Sequence, residues 1–375
     1  MVPTTAALSS GILNILGTNN ADTITVRQQN NVISIDGVAS TFNTTEVQSI
    51  VIRGLDGADT INLNTGGFAP SSNGRFTWVS QAVTVPTTIH GGKGNDTIHG
   101  GAGADKIFGE ADNDTLFGND GGDTLEGGAG TDTLQGGNGD DVYVFSGSTL
   151  GTDTITDSDG TRDRLDFSEF GGGVELDLAL TTNQTVRANH LVLRLLSGTA
   201  IEDVYGSEYT DILKGNSREN HLFGAGGHDE IYGYGGDDLI DGGNGHDTLH
   251  GGDENDTIYG GEGRDEMFGN DGEDTLYGGD GKDTLYGGAG HDTLHGNSGD
   301  DTIYGGAGHD FLGGGAGADK LIGGRGNDEY YFNMSEDTIN GIWASLFWDS
   351  AAVVIVGGGE FSEYNGNGTS VHHDW

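Results

Sequence analysis

The stretch Gly91-Gly92-Lys93-Gly94-Asn95-Asp96-Thr97-Ile98-His99 is one complete copy of a nine-residue unit that recurs along the chain. In every copy a glycine stands five residues before an aspartate, and an apolar residue or tyrosine stands two residues after it. A flexible glycine-rich linker would not keep aspartate and the apolar residue in phase. The regular period therefore predicts a repeat array. The recurring aspartates form a run of six and a run of twelve: Asp96, Asp105, Asp114, Asp123, Asp132 and Asp141, then Asp229, Asp238, Asp247, Asp256, Asp265, Asp274, Asp283, Asp292, Asp301, Asp310, Asp319 and Asp328.

The residue types at each place of the unit predict a local structure. Glycine at the first, second and fourth places allows positive φ, which a side chain would penalise. The last three residues suit a short strand whose middle, apolar residue points inward. Two units then complete one coil, and units eighteen residues apart stack about 4.8 Å apart, the spacing of paired strands. The chain is therefore predicted to be all-β, with two parallel β-rolls and further β segments between and before them.

The stacked coils bring the aspartates into rows of like charge. At about 4.8 Å, two carboxylates repel by roughly 0.9 kcal/mol even at the dielectric constant of water. Few apolar residues oppose this repulsion, because only one or two places in nine are apolar. Calcium accepts six to eight oxygen ligands from carboxylates and carbonyls, so it suits such rows. All eighteen recurring aspartates are therefore predicted calcium ligands, and metal binding would supply the folding energy.

The composition of the chain supports a cation partner. Its 375 residues include 73 glycines and are only 33% hydrophobic, which makes an ordinary close-packed core improbable. Fifteen Lys and Arg against 59 Asp and Glu give a net charge of −44, which excludes nucleic acid or an anionic membrane bound by general electrostatics. The chain has no cysteine, and no apolar run is long enough for a transmembrane segment.

The unit G-G-x-G-x-D-x-U-x resembles the nonapeptide of the RTX, or hemolysin-type calcium-binding, family. This resemblance implies right-handed parallel β-rolls that hold calcium partly through glycine carbonyls. It also implies export through type I secretion machinery and folding in external calcium, and hence a secreted, extracellular protein. Some units depart from the glycine pattern, among them those with Glu110 and Asn119 at the second place and Asp112 and Glu254 at the fourth. Calcium sites at those loops are expected to be weaker or rearranged.

Changes of pattern divide the chain into five predicted segments. They are an N-terminal β domain with degenerate repeats (1–90), a first β-roll (91–145), a β cap or linker (146–205), a second β-roll (206–332) and a C-terminal cap or secretion tail (333–375). The N-terminal segment contains two isolated echoes of the unit, Ala21-Asp22-Thr23-Ile24 and Gly54 to Ile61, which make Asp22 and Asp59 further calcium candidates. Both arrays finish alike, with Tyr143 and Tyr330 at the apolar place.

Other chemistry is weakly indicated. The zinc-protease motif H-E-x-x-H and the nucleophile elbow G-x-S-x-G are both absent from the sequence, which argues against an enzyme of those classes. His228 with His246, and His291 with His309, stand eighteen apart, but zinc needs three or four convergent ligands, so solvent-exposed filler is the favoured interpretation.

The leading functional interpretation is a non-enzymatic calcium-binding structural, spacer or surface protein. Aromatic residues at the last place of the unit suggest one alternative, a polysaccharide-binding or cell-surface-binding module resembling the repeat modules of alginate epimerases. Cross-strand packing is the simpler explanation of these residues. A second alternative is the repeat region of a secreted enzyme or toxin.

Overall fold

A computed structural model describes residues 5–29, 31–36, 38–63, 82–147, 149–157, 162–187, 190–198 and 200–331. It also describes the backbone of strands at 67–70, 76–79, 338–339, 361–364 and 370–373. All regular secondary structure in these residues is β-strand, so the all-β prediction is confirmed for the described chain. The predicted C-terminal cap, 333–375, lies largely outside the described residues.

The chain divides into two compact units, described separately below. Unit 1 comprises Met1–Gly171 and Leu178–Asp203, and unit 2 comprises Gly172–Asp177 and Val204–Trp375. The first eighteen strands are β1 (Thr5–Ser9), β2 (Ile12–Leu16), β3 (Thr23–Gln29), β4 (Val32–Ile35), β5 (Thr41–Asn43), β6 (Ser49–Asp56), β7 (Thr60–Asn62), β8 (Gly67–Pro70), β9 (Phe76–Val79), β10 (Thr87–Lys93), β11 (Thr97–His99), β12 (Lys106–Ala111), β13 (Thr115–Asp120), β14 (Thr124–Ala129), β15 (Thr133–Asn138), β16 (Val142–Val144), β17 (Gly151–Ile155) and β18 (Arg164–Asp166).

The remaining strands are β19 (Glu175–Asp177), β20 (Gln184–Arg187), β21 (Leu191–Leu195), β22 (Asp203–Tyr205), β23 (Ile212–Lys214), β24 (His221–Phe223), β25 (Gly226–Gly227), β26 (Glu230–Gly235), β27 (Leu239–Gly245), β28 (Thr248–Asp253), β29 (Thr257–Gly263), β30 (Glu266–Asp271), β31 (Thr275–Gly281), β32 (Thr284–Ala289), β33 (Thr293–Ser298), β34 (Thr302–Ala307), β35 (Phe311–Ala316), β36 (Lys320–Arg325), β37 (Glu329–Tyr331), β38 (Thr338–Ile339), β39 (Phe361–Tyr364) and β40 (Ser370–His373).

In unit 1 the parallel strands form two ladders. One runs β2, β6, β10, β12, β14, β16, β18, and the other runs β3, β7, β11, β13, β15, β17, β21. Antiparallel strands flank them, with β1 on β2, β4 and β5 beyond β3, and β20 on β21. The N-terminal segment thus belongs to the same stacked coils as the first array.

In unit 2 one ladder runs β24, β27, β29, β31, β33, β35, β37, and β25 also pairs with β27. The other ladder runs β19, β23, β26, β28, β30, β32, β34, β36, β38. Within the array each residue pairs with the residue eighteen later, for example Thr257 with Thr275. The prediction that two units make one coil of a parallel β-solenoid is therefore confirmed.

The apolar place of the unit forms the core of each array. Its side chains are fully or almost fully buried, from Ile98 to Tyr143 in the first array and from Ile231 to Tyr330 in the second. One inward side chain per strand gives a thin apolar layer. The loops that carry the aspartates therefore decide much of the stability, and they form the candidate site.

Candidate metal centre

Each array aspartate lies on a ladder that joins successive coils. The backbone N–H of one aspartate donates to Oδ1 of the aspartate eighteen residues later, as from Asp96 to Asp114 at 2.8 Å and from Asp265 to Asp283 at 2.9 Å. All eighteen predicted ligands are at most 3% exposed. The structure thus stacks the predicted residues into rows, as the eighteen-residue period requires.

The second carboxylate oxygen, Oδ2, is left without a hydrogen-bond partner in most array loops. We call a loop open when its aspartate Oδ2 is buried and unpartnered. Among the described residues, fifteen array aspartates belong to open loops: Asp96, Asp114, Asp123, Asp132, Asp141, Asp229, Asp238, Asp247, Asp256, Asp265, Asp274, Asp283, Asp292, Asp301 and Asp310. A buried carboxylate oxygen with no donor carries a desolvation cost that a cation would offset.

A backbone carbonyl oxygen converges on the carboxylate in most of these loops. A Cβ at Gly269 would lie 2.3 Å from Asp274 Oδ2 and 2.5 Å from the carbonyl oxygen of Gly287, eighteen residues after Gly269. The missing Cβ thus leaves a small gap lined by oxygens from two successive loops. Carboxylate and carbonyl oxygens are the ligands that calcium prefers.

The open loops share a left-handed second place. The φ angle there ranges from +71° at Asn297 to +137° at Gly252. The left-handed conformation is kept at the departures from the glycine pattern named above, with φ of 78° at Glu110, 80° at Asp112, 80° at Asn119 and 75° at Glu254. These substitutions therefore strain the backbone without changing the shape of the loop.

Three loops satisfy the second side-chain oxygen differently. Each of them precedes the first Asp or Asn side chain of a hydrogen-bonded aspartate ladder. In the loops before Asp105 and Asp211, the N–H of the second place donates to the aspartate Oδ2, at 2.6 Å from Gly101 and 2.6 Å from Ser207. Asn220 takes the same role through its Oδ1, which accepts from the N–H of Asn216. We call these loops closed, because a backbone donor takes the place that the open loops leave to a cation.

Burial shifts the protonation of the aspartates. It raises the pKa of Asp114, Asp123 and Asp238 from an ordinary value of 3.8 to about 8, and neighbouring carboxylates add to the rise. For Asp96 and Asp265 burial raises the pKa to about 6. Without a cation, the rows would therefore be only partly ionised near neutral pH.

A second ladder, which sequence reasoning missed, lies one residue before the aspartates. There a side-chain acceptor receives the backbone N–H of the residue eighteen later, at Asn113 from Thr131 and at Asp237 from Asn255. The histidines take part, since Nδ1 of His228 accepts from His246 N–H and Nδ1 of His291 accepts from His309 N–H, both at 2.8 Å. These histidines are solvent-exposed, as predicted, and they also accept backbone hydrogen bonds. The frequency of Asn, Asp and His at this place was the available signal for that second role.

The aspartate ladder of unit 1 also continues past the repeats. Asp132 N–H donates to Asp153 Oδ1, Asp141 N–H to Asp163 Oδ1, and Asp163 N–H to Glu202 Oε2. Asp141, Asp157 and Asp163 form a buried carboxylate group with ligand atoms within 4.8 Å of one another. Thr152-Asp153-Thr154-Ile155 repeats the Asp-Thr-Ile of the unit, a signal that could have identified Asp153.

The terminal tyrosines finish the arrays with a polar contact. Tyr143 Oη accepts the N–H of Gly136 at 2.8 Å and donates to Asp157 Oδ2. Tyr330 Oη accepts the N–H of Gly323 at 3.0 Å. The shared terminator seen in the sequence thus has the same backbone partner in both arrays.

The aromatic residues at the last place of the unit stack on one another. Tyr232, His250, Phe268, Tyr286 and Tyr304 form a column with ring centroids 4.6–4.8 Å apart and planes within 5°. Neighbouring rings cover each other's faces inside the column, so only ring edges are presented to solvent there. Cross-strand packing accounts for this arrangement.

The stacked coils, the rows of buried carboxylates and the converging carbonyls define a calcium-binding β-solenoid. The family model of the RTX calcium-binding nonapeptide repeat, which spans four copies, matches residues 87–116, 117–147, 205–240, 241–276, 277–312 and 311–339. These matches cover just over half of the chain, and the protein belongs to this family. Calcium is its cofactor. No curated protein is significantly similar to the chain. Within the described residues, no helix is long and apolar enough to cross a membrane.

Proposed function

We propose that this protein is a secreted calcium-binding scaffold that folds on meeting extracellular calcium and has a structural, spacer or surface role. The ligands in this proposal are the recurring aspartates, except Asp105 in its closed loop, together with glycine carbonyls of the adjacent coil. The observation that carries the proposal is the set of fifteen buried, unpartnered Oδ2 atoms in the open loops.

The electrostatics of the open loops supports calcium-dependent folding. Each ladder holds carboxylates in successive coils with little exposure to water, so ionised aspartates repel one another and lose hydration on folding. Bound calcium supplies the positive charge and the oxygen coordination that these loops otherwise lack. Since the thin apolar layer contributes only one residue per strand, metal binding and folding are coupled.

The coupling supports an extracellular location. Extracellular calcium modules of other folds bind at about 10⁻⁴ to 10⁻³ M, far above the calcium level that cytosolic sensors detect. A chain that needs calcium in that range would stay unfolded inside the cell and fold outside. The RTX family match and the net charge of −44, which disfavours chain association before folding, agree with this sequence of events.

A calcium titration of the full chain tests the proposal. We expect little β-signal in far-ultraviolet circular dichroism with chelator, a cooperative gain at about 10⁻⁴ to 10⁻³ M calcium, and no comparable gain with magnesium, which demands stricter octahedral geometry. Size-exclusion chromatography of the same samples should show the chain contracting. A chain that is equally compact and β-rich in chelator would overturn the proposal.

Export is tested separately. We expect the chain to accumulate in the medium of cells that carry type I secretion machinery and to remain inside cells that lack it. The calcium-free intracellular form should be protease-sensitive, and the exported form in calcium should be resistant. Accumulation inside the cell as a folded, protease-resistant protein would contradict the extracellular part of the proposal.

A further inference from the structure

The N-terminal segment contains one loop with the geometry of the array loops, although the family match begins only at residue 87. The loop runs from Gly54 to Asp59 and is followed by strand β7. Its strands pair in register with the first array coil, Ile52 with Ile89 and Ile61 with Ile98. The coil is therefore a genuine rung of the first solenoid.

The backbone of this loop has the open form. The second place, Leu55, has φ of 84°, and the fourth, Gly57, has φ of 128°. A leucine in the left-handed region costs roughly 1–2 kcal/mol, so the surrounding coils must impose this conformation. In the described repeats the same left-handed second place accompanies every open loop.

The carboxylate of Asp59 is placed like those of the array. It is 1% exposed, and its Oδ2 is buried without a hydrogen-bond partner. Its Oδ1 accepts the N–H of Asp22, while its own N–H donates to Asp96 Oδ1 at 2.6 Å. A Cβ at Gly54 would lie 2.3 Å from Asp59 Oδ2 and 2.4 Å from the carbonyl oxygen of Gly91. The unpartnered oxygen and the carbonyl thus converge on one gap.

Asp22, the other candidate in this segment, is placed differently. Its Oδ2 accepts hydrogen bonds from the backbone N–H and the hydroxyl of Thr18, at 2.5 and 2.9 Å. Thr18 has the second place of this loop and lacks the positive φ of the open loops. The loop from Gly17 to Asp22 is therefore closed, like the loops before Asp105 and Asp211.

We propose that Asp59 is a calcium ligand outside the matched repeats, at a site formed with the Gly91 carbonyl, and that Asp22 is not a calcium ligand. This inference rests on the proposed function of the array loops and extends it to the N-terminal segment. The site makes the first rungs of the solenoid depend on calcium, even though their sequence has almost lost the repeat.

Counting calcium in three isosteric variants of the full chain tests this assignment. Asp59→Asn keeps the Oδ1 acceptor for Asp22 but removes the charge at Oδ2. We expect Asp59→Asn to bind one calcium ion fewer than the wild type by equilibrium dialysis with atomic absorption. Asp22→Asn, the matched closed-loop control, should keep the wild-type count, and Asp96→Asn, in an open array loop, should lose calcium.

The outcomes separate the two proposals. A loss in Asp96→Asn with no loss in Asp59→Asn overturns the Asp59 site alone, whereas unchanged counts in both overturn the role of the array aspartates. A loss in Asp22→Asn would overturn the distinction between open and closed loops.

Hydrogen exchange locates the effect of calcium along the chain, in the wild type and in the two N-terminal variants. Amides of residues 49–62 should gain protection when calcium is added, and this gain should be absent in Asp59→Asn and kept in Asp22→Asn. Equal protection of the wild-type segment with and without calcium would overturn the site.

Discussion

The loops before Asp211 and Asp229 belong to successive rungs of one ladder, yet they satisfy their carboxylates in opposite ways. Asp211 N–H donates to Asp229 Oδ1, the same hydrogen bond that joins other successive aspartates. At Asp211, Ser207 N–H fills Oδ2, whereas at Asp229 the second place, Ala225, has φ of 74° and Oδ2 has no partner. One peptide orientation therefore decides whether a loop closes on itself or leaves room for a cation.

The position of the closed loops explains the difference. Asp211 is preceded on its ladder by Val174, whose N–H donates to Asp211 Oδ1, and Asp105 is preceded by Thr87 in the same way. Neither predecessor is an aspartate of a glycine loop. A first rung thus has a glycine loop on one side only, and a backbone donor stabilises its carboxylate instead of a shared ion.

Acid should act on the open loops most strongly of all. In saturating calcium, lowering the pH from 7.5 to 4 should weaken calcium binding by well over tenfold, because protonated aspartates do not ligate. In chelator, acid should have the opposite effect and stabilise the fold. The folded pKa values of Asp114 and Asp96, about 8 and about 6, exceed the ordinary 3.8, so the metal-free fold gains stability as pH falls and loses it as pH rises through 6–8.

Circular dichroism across this pH range, with calcium and with chelator, measures both effects. A calcium affinity at pH 4 equal to that at pH 7.5 would contradict the carboxylate ligands. A metal-free chain that becomes less structured on acidification to pH 5 would contradict the raised pKa values.

Replacing the fourth-place glycine should lower the free energy of unfolding strongly in an open loop and much less in a closed one. Gly299 has φ of 136°, and a Cβ there would lie 1.3 Å from the carbonyl oxygen of Gly281. Gly103, in the closed loop before Asp105, lacks positive φ, and its Cβ would lie 2.8 Å from Thr84 O. We expect Gly299→Ala to destabilise the chain in calcium by roughly 3 kcal/mol or more and Gly103→Ala by about 1 kcal/mol.

Urea denaturation in calcium measures the two free energies of unfolding. Similar losses in both variants would show that the two kinds of loop have the same steric demands.

The next largest effect should come from removing the charge of one aspartate, which should cost more stability in an open loop than in a closed one. Asp265→Asn removes an unpartnered Oδ2 from an open loop, and we expect a loss of roughly 2–3 kcal/mol at calcium about 100 times its dissociation constant. Asp211→Asn should cost less than about 1 kcal/mol, because Asn220 already serves in a closed loop. Thermal unfolding at saturating and at subsaturating calcium checks this, since the cost of Asp265→Asn should grow with the calcium concentration.

The smallest effect concerns alanine in the two kinds of loop. Ala225 has φ of 74° at the second place of an open loop, and Ala102 is at the third place of a closed loop without positive φ. Ala225→Gly relieves left-handed strain and should be neutral or stabilising by up to about 1 kcal/mol. Ala102→Gly should destabilise by about 0.4–1 kcal/mol through unfolded-state entropy. Calcium-saturated urea melts of the pair should therefore shift in opposite directions or differ clearly in size.

The coil and its register could be predicted from the sequence because they depend on residue type at fixed spacing. Ile98 and Ile107 are nine apart and face one core, and Asp96 and Asp114 are eighteen apart and share a hydrogen bond. Such features follow from strand alternation and the length of the coil. The rows of aspartates, and with them a divalent cation, were predictable for the same reason.

The distinction between open and closed loops was not predictable. Gly100-Gly101-Ala102-Gly103 fits the glycine pattern, yet its loop is closed, because Ala102 N–H donates to Val83 and Thr87 N–H donates to Asp105. Val83 and Thr87 precede the first complete unit, which begins at Gly91. Conversely, Leu55 breaks the glycine pattern while its loop is open. Backbone orientation here depends on the neighbouring coil, which a single unit of sequence does not record.

The hydrogen bonds between successive aspartates continue where extra residues are inserted between two coils. Successive aspartates are usually eighteen residues apart, but Asp59 and Asp96 make the same hydrogen bond across 37 residues, and Asp132 and Asp153 make it across 21. The strands that follow these aspartates keep their register, with Thr60 paired to Thr97 and Thr133 paired to Thr154. The positions of these insertions therefore tolerate added sequence. Foreign peptides could be inserted there for display while the open loops stay intact.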